Sequence, residues 1–201
     1  MKLSEIVQRT LPFGYLFLVV LGIIKESIYY YKVGINILKY SNIMDVLISP
    51  IADLTSTPII LFGFTILILI LSLASLLISK NFNKDWLKKK ISSTKPLSDI
   101  TEKDVSAHFG KYFISMFAFC LLCFFLGLGL GSGSKVASKI SKNELKYDYE
   151  ITFGDDQTKE IYLIGSNSSY YFYVEKGNKN VKIAPVGAIK SVEITNNKVL
   201  H

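Results

Sequence analysis

Long uncharged runs alternate with short lysine-rich interruptions along this chain, and only its last quarter changes to a period of two. Pro58–Ser79 holds twenty-two residues without a formal charge. As a helix rising about 1.5 Å per residue it reaches roughly 33 Å, enough for a hydrocarbon core of about 30 Å. Tyr112–Leu130 is a second such run, of nineteen residues. Leu11–Ile24 is shorter, but continuing it through Ile28 and Tyr29–Tyr31 completes a span, with Lys25 and Glu26 near one boundary and the tyrosines as an interfacial belt. Lipid offers no water to an unpaired peptide group, so each run predicts a helix. The expected spans are 11–31, 58–79 and 112–131.

Between the first two spans, Ile43, Val46, Leu47 and Ile51 recur at i, i+3, i+4, i+8, which predicts a short amphipathic helix in an interfacial or re-entrant segment, 36–53, broken at Pro50 and Pro58. Pro12 falls near the start of the first helix, where a missing amide proton costs least. The loop 80–111 carries eight lysines; Trp86 with Lys88, Lys89 and Lys90 suits a lipid headgroup surface. Across the end of the run Tyr112–Leu130, Gly127, Gly129, Gly131 and Gly133 recur at every second position. They form two Gly-x-x-x-Gly steps that permit close helix approach, with the central helix as the expected partner and self-association as the expected use; a flexible exit from the membrane, continued by SGSK, is the equal alternative. A Lys-rich polar linker, 134–146, is expected next.

From 147 the texture changes. YDYEITF, EIYLIG, SYYFYV, VKIA and AIKSVEI are short runs rich in Tyr, Ile, Val and Phe, separated by GDDQ, SNS and EKGNKN. They predict four or five strands in a small antiparallel sheet or SH3-like barrel over 147–201. The fold class is therefore an α-helical transmembrane bundle of about three spans, domain 1–133, followed by a small C-terminal antiparallel β domain. That β domain is a candidate surface for a protein partner.

Charge narrows the partners. The formal net charge is +7, and Arg9 is the only arginine. Lysines are hydrated point charges, which suit membrane lipids better than base-edge readout, so direct nucleic-acid binding is disfavoured. Ten basic residues fall with the amino terminus and the loop 80–111, against seven on the other side, which favours a cytoplasmic amino terminus. Cys120 and Cys123 sit among Phe and Leu in a span, where packing is the expected role.

No stretch carries a nucleophile elbow, a phosphate loop or a zinc-hydrolase motif, and His108 and His201 are the only histidines. No enzymatic activity, cofactor or metal is expected. Asp155 and Asp156 in GDDQ read as a hairpin turn. Two polar residues stand out as intramembrane candidates: Glu26, able to face other helices, and Asp45, expected to pair with Lys39 or Lys25.

Tyr29–Asp45 resembles a pattern of small bacterial membrane proteins: an aromatic run (Tyr29–Tyr31) after the first span, then Gly34, Ile35, Ile37 and Tyr40, and an acidic residue, Asp45. The layout over residues 1–80 resembles the transmembrane accessory proteins encoded beside RNA-targeting type VI-B CRISPR nucleases. The resemblance implies an oligomeric, non-catalytic regulator of antiviral defence in the bacterial inner membrane. A pore, or a membrane scaffold holding a partner through the β domain, is the alternative.

Overall fold

The computed structural model describes residues 3–56, 58–81 and 102–195. The helices are α1 (Leu3–Lys32), α2 (Ile43–Ser56), α3 (Pro58–Lys80) and α4 (Glu102–Lys142), with a 3-10 turn at Ile37–Lys39 ahead of α2. Stretches of α1, α3 and α4, namely Leu11–Lys32, Ile60–Ile78 and Ala107–Lys142, are long and apolar enough to cross a membrane.

The helices outrun their apolar cores. α4 has 41 residues, about 62 Å at ordinary rise, so most of the stretch expected as a linker is its last turns. Lysine and alanine are good helix formers, and no glycine or proline intervenes between Gly133 and Lys142. The helix stops at Asn143, in the left-handed region at φ 59°, where Glu144 N donates to Lys139 O and Asn143 N to Ile140 O. α1 ends in the same way: Gly34 has φ 83°, Ile35 N donates to Tyr30 O and Gly34 N to Tyr31 O. Both are Schellman closures, which satisfy the last carbonyls and turn the chain sharply.

The prolines behave differently from expectation. Pro12 and Pro50 lie inside α1 and α2 rather than at a start or a break. Proline donates no amide proton, so Pro50 leaves the carbonyl of Val46 without its helical partner. That carbonyl faces Gly22 of α1, where an added Cβ would stand 1.9 Å from it. Gly22 thus admits a backbone-to-backbone approach that brings Cα hydrogens to an oxygen the proline has released.

The chain divides into two compact units, 1–51 with 125–201, and 52–124. In the second, α3 and the first half of α4 are antiparallel. Phe64 meets Phe117 and Phe124 edge-on, with ring centroids 6.3 and 4.9 Å apart, and Ile78 and Phe113 pack on Val105 and Phe109. The central helix therefore meets α4 through aromatic rings; the glycine ladder lies in the other unit.

The first unit holds the sheet: β1 (Tyr149–Phe153), β2 (Thr158–Ser166), β3 (Tyr170–Glu175), β4 (Val181–Pro185) and β5 (Ile189–Ile194). The order is β4-β3-β2-β1-β5, antiparallel throughout. In a flat sheet β4 and β5 would lie about 19 Å apart. The single 3-10 turn Val186–Ala188 spans less than about 14 Å, so the sheet curls. Its concave face buries Ile151, Ile161, Tyr173 and Ala184. Its convex face presents Ile164, Phe172 and Val174 to the helices. Gly154–Gln157 makes the β1–β2 hairpin, with Asp156 at φ 62° and Asp155 Oδ1 accepting from Gln157 N; the acidic pair serves the turn.

Candidate functional site

The most heavily built polar arrangement among the described residues joins the carboxyl end of α1 to the convex face of the sheet. Three sets of contacts form it, and each follows from a local feature of the sequence.

The first is a bulge. Leu163 pairs with Tyr173 and Gly165 with Phe172, which leaves Ile164 as an extra residue in β2. The Tyr29 hydroxyl donates to Ile164 O at 2.9 Å, so the irregular strand is met by a side chain from α1. Beside it, the Tyr30 hydroxyl lies so close to Gly165 that an added Cβ would stand 2.3 Å away. The Tyr30 ring packs on Phe172, centroids 4.9 Å apart, in a buried cluster with Ile35, Ile37, Val136, Ile164 and Val174.

The second is a capping box with a lodger. Asn42 precedes α2; its Oδ1 accepts from Asp45 N (2.9 Å), and Asp45 Oδ2 accepts from Asn42 N (3.0 Å). The two side chains thereby satisfy each other's backbone at the helix start. The same Asp45 carboxylate accepts from Ser168 N (3.2 Å) and Ser168 Oγ (3.1 Å) at the tip of the β2–β3 hairpin. Asn167 reaches back from that tip to Tyr40 O at 3.0 Å, while its Oδ1 accepts from the amides of Ser169 and Tyr170. Asp45 therefore binds the hairpin rather than Lys39 or Lys25. A carboxylate at a helix amino terminus also faces the positive end of the dipole.

The third lies deeper in α1. Lys25 Nζ donates to Glu26 Oε1 (2.9 Å) and to Ser49 Oγ (3.0 Å), and Ser49 Oγ donates to Glu26. Neighbouring residues on a helix do not face each other; these converge because Ser49 of α2 stands between them. The ammonium and carboxylate are only 16% and 18% exposed. As a pair they add no net charge to the apolar stretch, which is the tolerated form of charge at that depth.

α4 closes the arrangement. Added Cβ atoms at Gly129 and Gly133 would stand 2.7 Å from Lys25 O and 2.7 Å from Tyr29 O, while at Gly127 and Gly131 they would meet nothing within 4 Å. One glycine step thus seats α1 and the other is open. Because 25 matches 129 and 29 matches 133, α1 and the end of α4 run parallel, with the sheet at both carboxyl ends. Trp86, Lys88, Lys89 and Lys90 lie outside the described residues. His108 is exposed, and no cluster of metal-ligating side chains occurs among the described residues.

Removing the lodger's seat is measurable. Asp45→Ala takes away the reciprocal half of the capping box and both Ser168 bonds, with an expected loss of about 1–2 kcal/mol and faster amide exchange at 42–49 and 166–170. At the end of β3, an inner strand, Glu175 takes Lys159 of β2 (3.1 Å) and Lys182 of β4 (2.7 Å). Burial raises its carboxyl, but the hydrogen bonds from Lys182 and Lys159 outweigh it and hold the group below the ordinary carboxylate range. Its contribution is therefore present above the unfolded value and lost as pH falls through the lower folded one. The thermal stability of the sheet should therefore begin to fall as pH drops below the ordinary glutamate value of about 4.3, and Glu175→Gln should flatten that part of the profile.

Comparison of the chain with protein-family models, with curated proteins and with solved structures returned no match.

Proposed function

We propose that this chain is a non-enzymatic membrane protein that couples its sheet to its first spanning helix, serving as an accessory or regulatory subunit. The observation that carries the reading is the joint. Tyr29 and Tyr30 from the membrane helix grip β2 at its bulge, and Asp45 at the start of α2 grips the adjoining hairpin. α2 then meets α1 again through Ser49 and Val46. A partner bound to the sheet thus acts on a body that includes the first span.

The parallel course of α1 and the end of α4 supports a topology with the amino terminus and the sheet on opposite sides. With the ten-to-seven basic bias, the amino terminus is cytoplasmic and the sheet external. A cleft of about 530 Å³ bounded by Phe153, Lys159, Tyr173, Glu175 and Lys182 offers a protein partner its surface. The open Gly127 and Gly131 step supports assembly of copies. The resemblance over residues 1–80 supplies the setting, antiviral defence at the bacterial inner membrane.

Hydrogen exchange on the full chain in lipid nanodiscs tests the coupling. Asp45→Ala should raise exchange in residues 22–32 as well as in the hairpin. Exchange confined to the hairpin would leave the sheet and the span as independent parts and refute the reading.

A further inference from the structure

We propose that the end of α4 is a binding surface for anionic phospholipid headgroups, built from Lys135, Lys139 and Lys142 together with Lys32 of α1. The three α4 lysines are spaced i, i+4, i+7 in an unbroken helix, which puts them on one face. Val136 and Ile140, on another face, pack into the cluster beneath the sheet, so the lysine face is turned away from the protein interior. Lys135 and Lys142 are exposed and Lys139 is half-buried. Lys32 is exposed and reaches this region from the neighbouring helix, its Cβ 2.9 Å from where a Cβ on Gly133 would stand. None of the four takes part in an ion pair among the described residues.

Depth fixes the partner. Lys135 lies five residues past Leu130, the end of the uncharged run, hence about 7.5 Å along the helix. The headgroup layer on each side of the hydrocarbon is roughly 5–8 Å thick. Lys135 thus stands within or at the edge of that layer, Lys139 and Lys142 stand one and two turns above it, and long lysine side chains bend back towards phosphates. The helix dipole accounts for Lys32, Lys139 and Lys142, which occupy last turns. It does not account for Lys135, nor for the absence of a carboxylate on this face. Lysine also suits the partner chemically, as a point charge for dispersed phosphates.

Spin-labelled phosphatidylglycerol and phosphatidylcholine in nanodiscs holding the full chain provide the test. The wild type should hold phosphatidylglycerol more tightly, and Lys135→Gln with Lys139→Gln and Lys142→Gln should cut that preference by about fivefold for each lysine near the surface. Replacing Lys88–Lys90 instead should leave the α4 share of the preference in place. The single change Lys135→Gln, which leaves the last turn intact, should lower the preference with unchanged helicity, and Lys135→Arg should preserve it. An unchanged preference in the triple variant would overturn the proposal. So would full displacement of the labelled lipid by free glycerophosphate at low millimolar concentration, which would mark a small-anion site instead.

Discussion

Replacing Tyr30 by alanine will free the sheet from the membrane helix, at a loss of about 3–5 kcal/mol, the range for truncating a buried aromatic side chain. Tyr30 is 4% exposed, and its ring lies against Phe172 at the centre of the cluster that includes Ile35, Ile37, Val136 and Val174. The truncation opens a cavity where four separate segments meet, and no one of them can move in alone to fill it. The helix itself should survive, because only 17% of its apolar stretch is buried inside the protein. The expected readout in nanodiscs is therefore divided: helical circular dichroism retained, with exchange protection lost across 161–174. Tyr29→Phe is the milder companion, since it keeps the ring and leaves Ile164 O without its hydroxyl donor. A loss of about 1–3 kcal/mol is expected there, the cost of an unpaired buried acceptor. Tyr30→Ala with unchanged protection of the sheet would show that the cluster does not hold the two parts together.

The second large effect is a contrast between two halves of one glycine ladder. In an exposed helix, glycine to alanine stabilises by roughly 0.5–1 kcal/mol per site. Gly127→Ala with Gly131→Ala should follow that rule, because their added methyl groups meet nothing within 4 Å. Gly129→Ala with Gly133→Ala should reverse it. Their methyl groups would press on Lys25 O and Tyr29 O at 2.7 Å and on the Lys32 side chain at 2.9 Å. Overpacking of this kind costs about 1–3 kcal/mol per site, and a backbone carbonyl cannot swing aside as a long side chain does. The two double variants should thus differ by several kcal/mol in resistance to denaturing detergent, although their sequences differ only by a two-residue shift. Equal behaviour would mean that α1 does not sit on this face of α4.

Much of this architecture is legible in the sequence, and the reasons are local. Uncharged runs of nineteen and twenty-two residues have few fates other than a membrane helix, and five Tyr- and Ile-rich runs between turn signals became five strands. The Ile43, Val46, Leu47, Ile51 periodicity announced α2. Other features depend on tertiary partners that no spacing reveals. Lys-rich 134–146 reads as a linker until Val136 and Ile140 are seen to pack beneath the sheet. Pro50 reads as a break until the carbonyl it frees is found against Gly22. Asp45 draws attention as a carboxylate near apolar residues, but its partner is Ser168, 123 residues away, where charge counting looks only for lysine. The faint signal was Asn42-x-x-Asp45, a capping-box spacing that places the carboxylate at a helix start rather than in lipid.

The segment Tyr29–Asp45 gathers these threads. Of the residues that carry its resemblance to small membrane proteins, all but the exposed Tyr31 have a task in the joint. Tyr29 and Tyr30 hold β2, Gly34 closes α1 with a positive φ, and Ile35 and Ile37 fill the cluster. Tyr40 stacks edge-on against Tyr170, and Asp45 seats the hairpin. A pattern of this kind follows from the need to turn a chain out of a long apolar helix and straight onto a sheet. It reports docking geometry between the end of α1, the start of α2 and the sheet.

The most direct measurement is a disulfide between α2 and the hairpin. With Cys120 and Cys123 replaced by serine, Asp45→Cys and Ser168→Cys should cross-link in native membranes under mild oxidation, within one chain and to near completion. The linked protein should retain the exchange protection of the sheet. If both cysteines instead react freely with a maleimide and no intrachain link forms, the hairpin does not rest on the start of α2, and the coupling of sheet to span is contradicted.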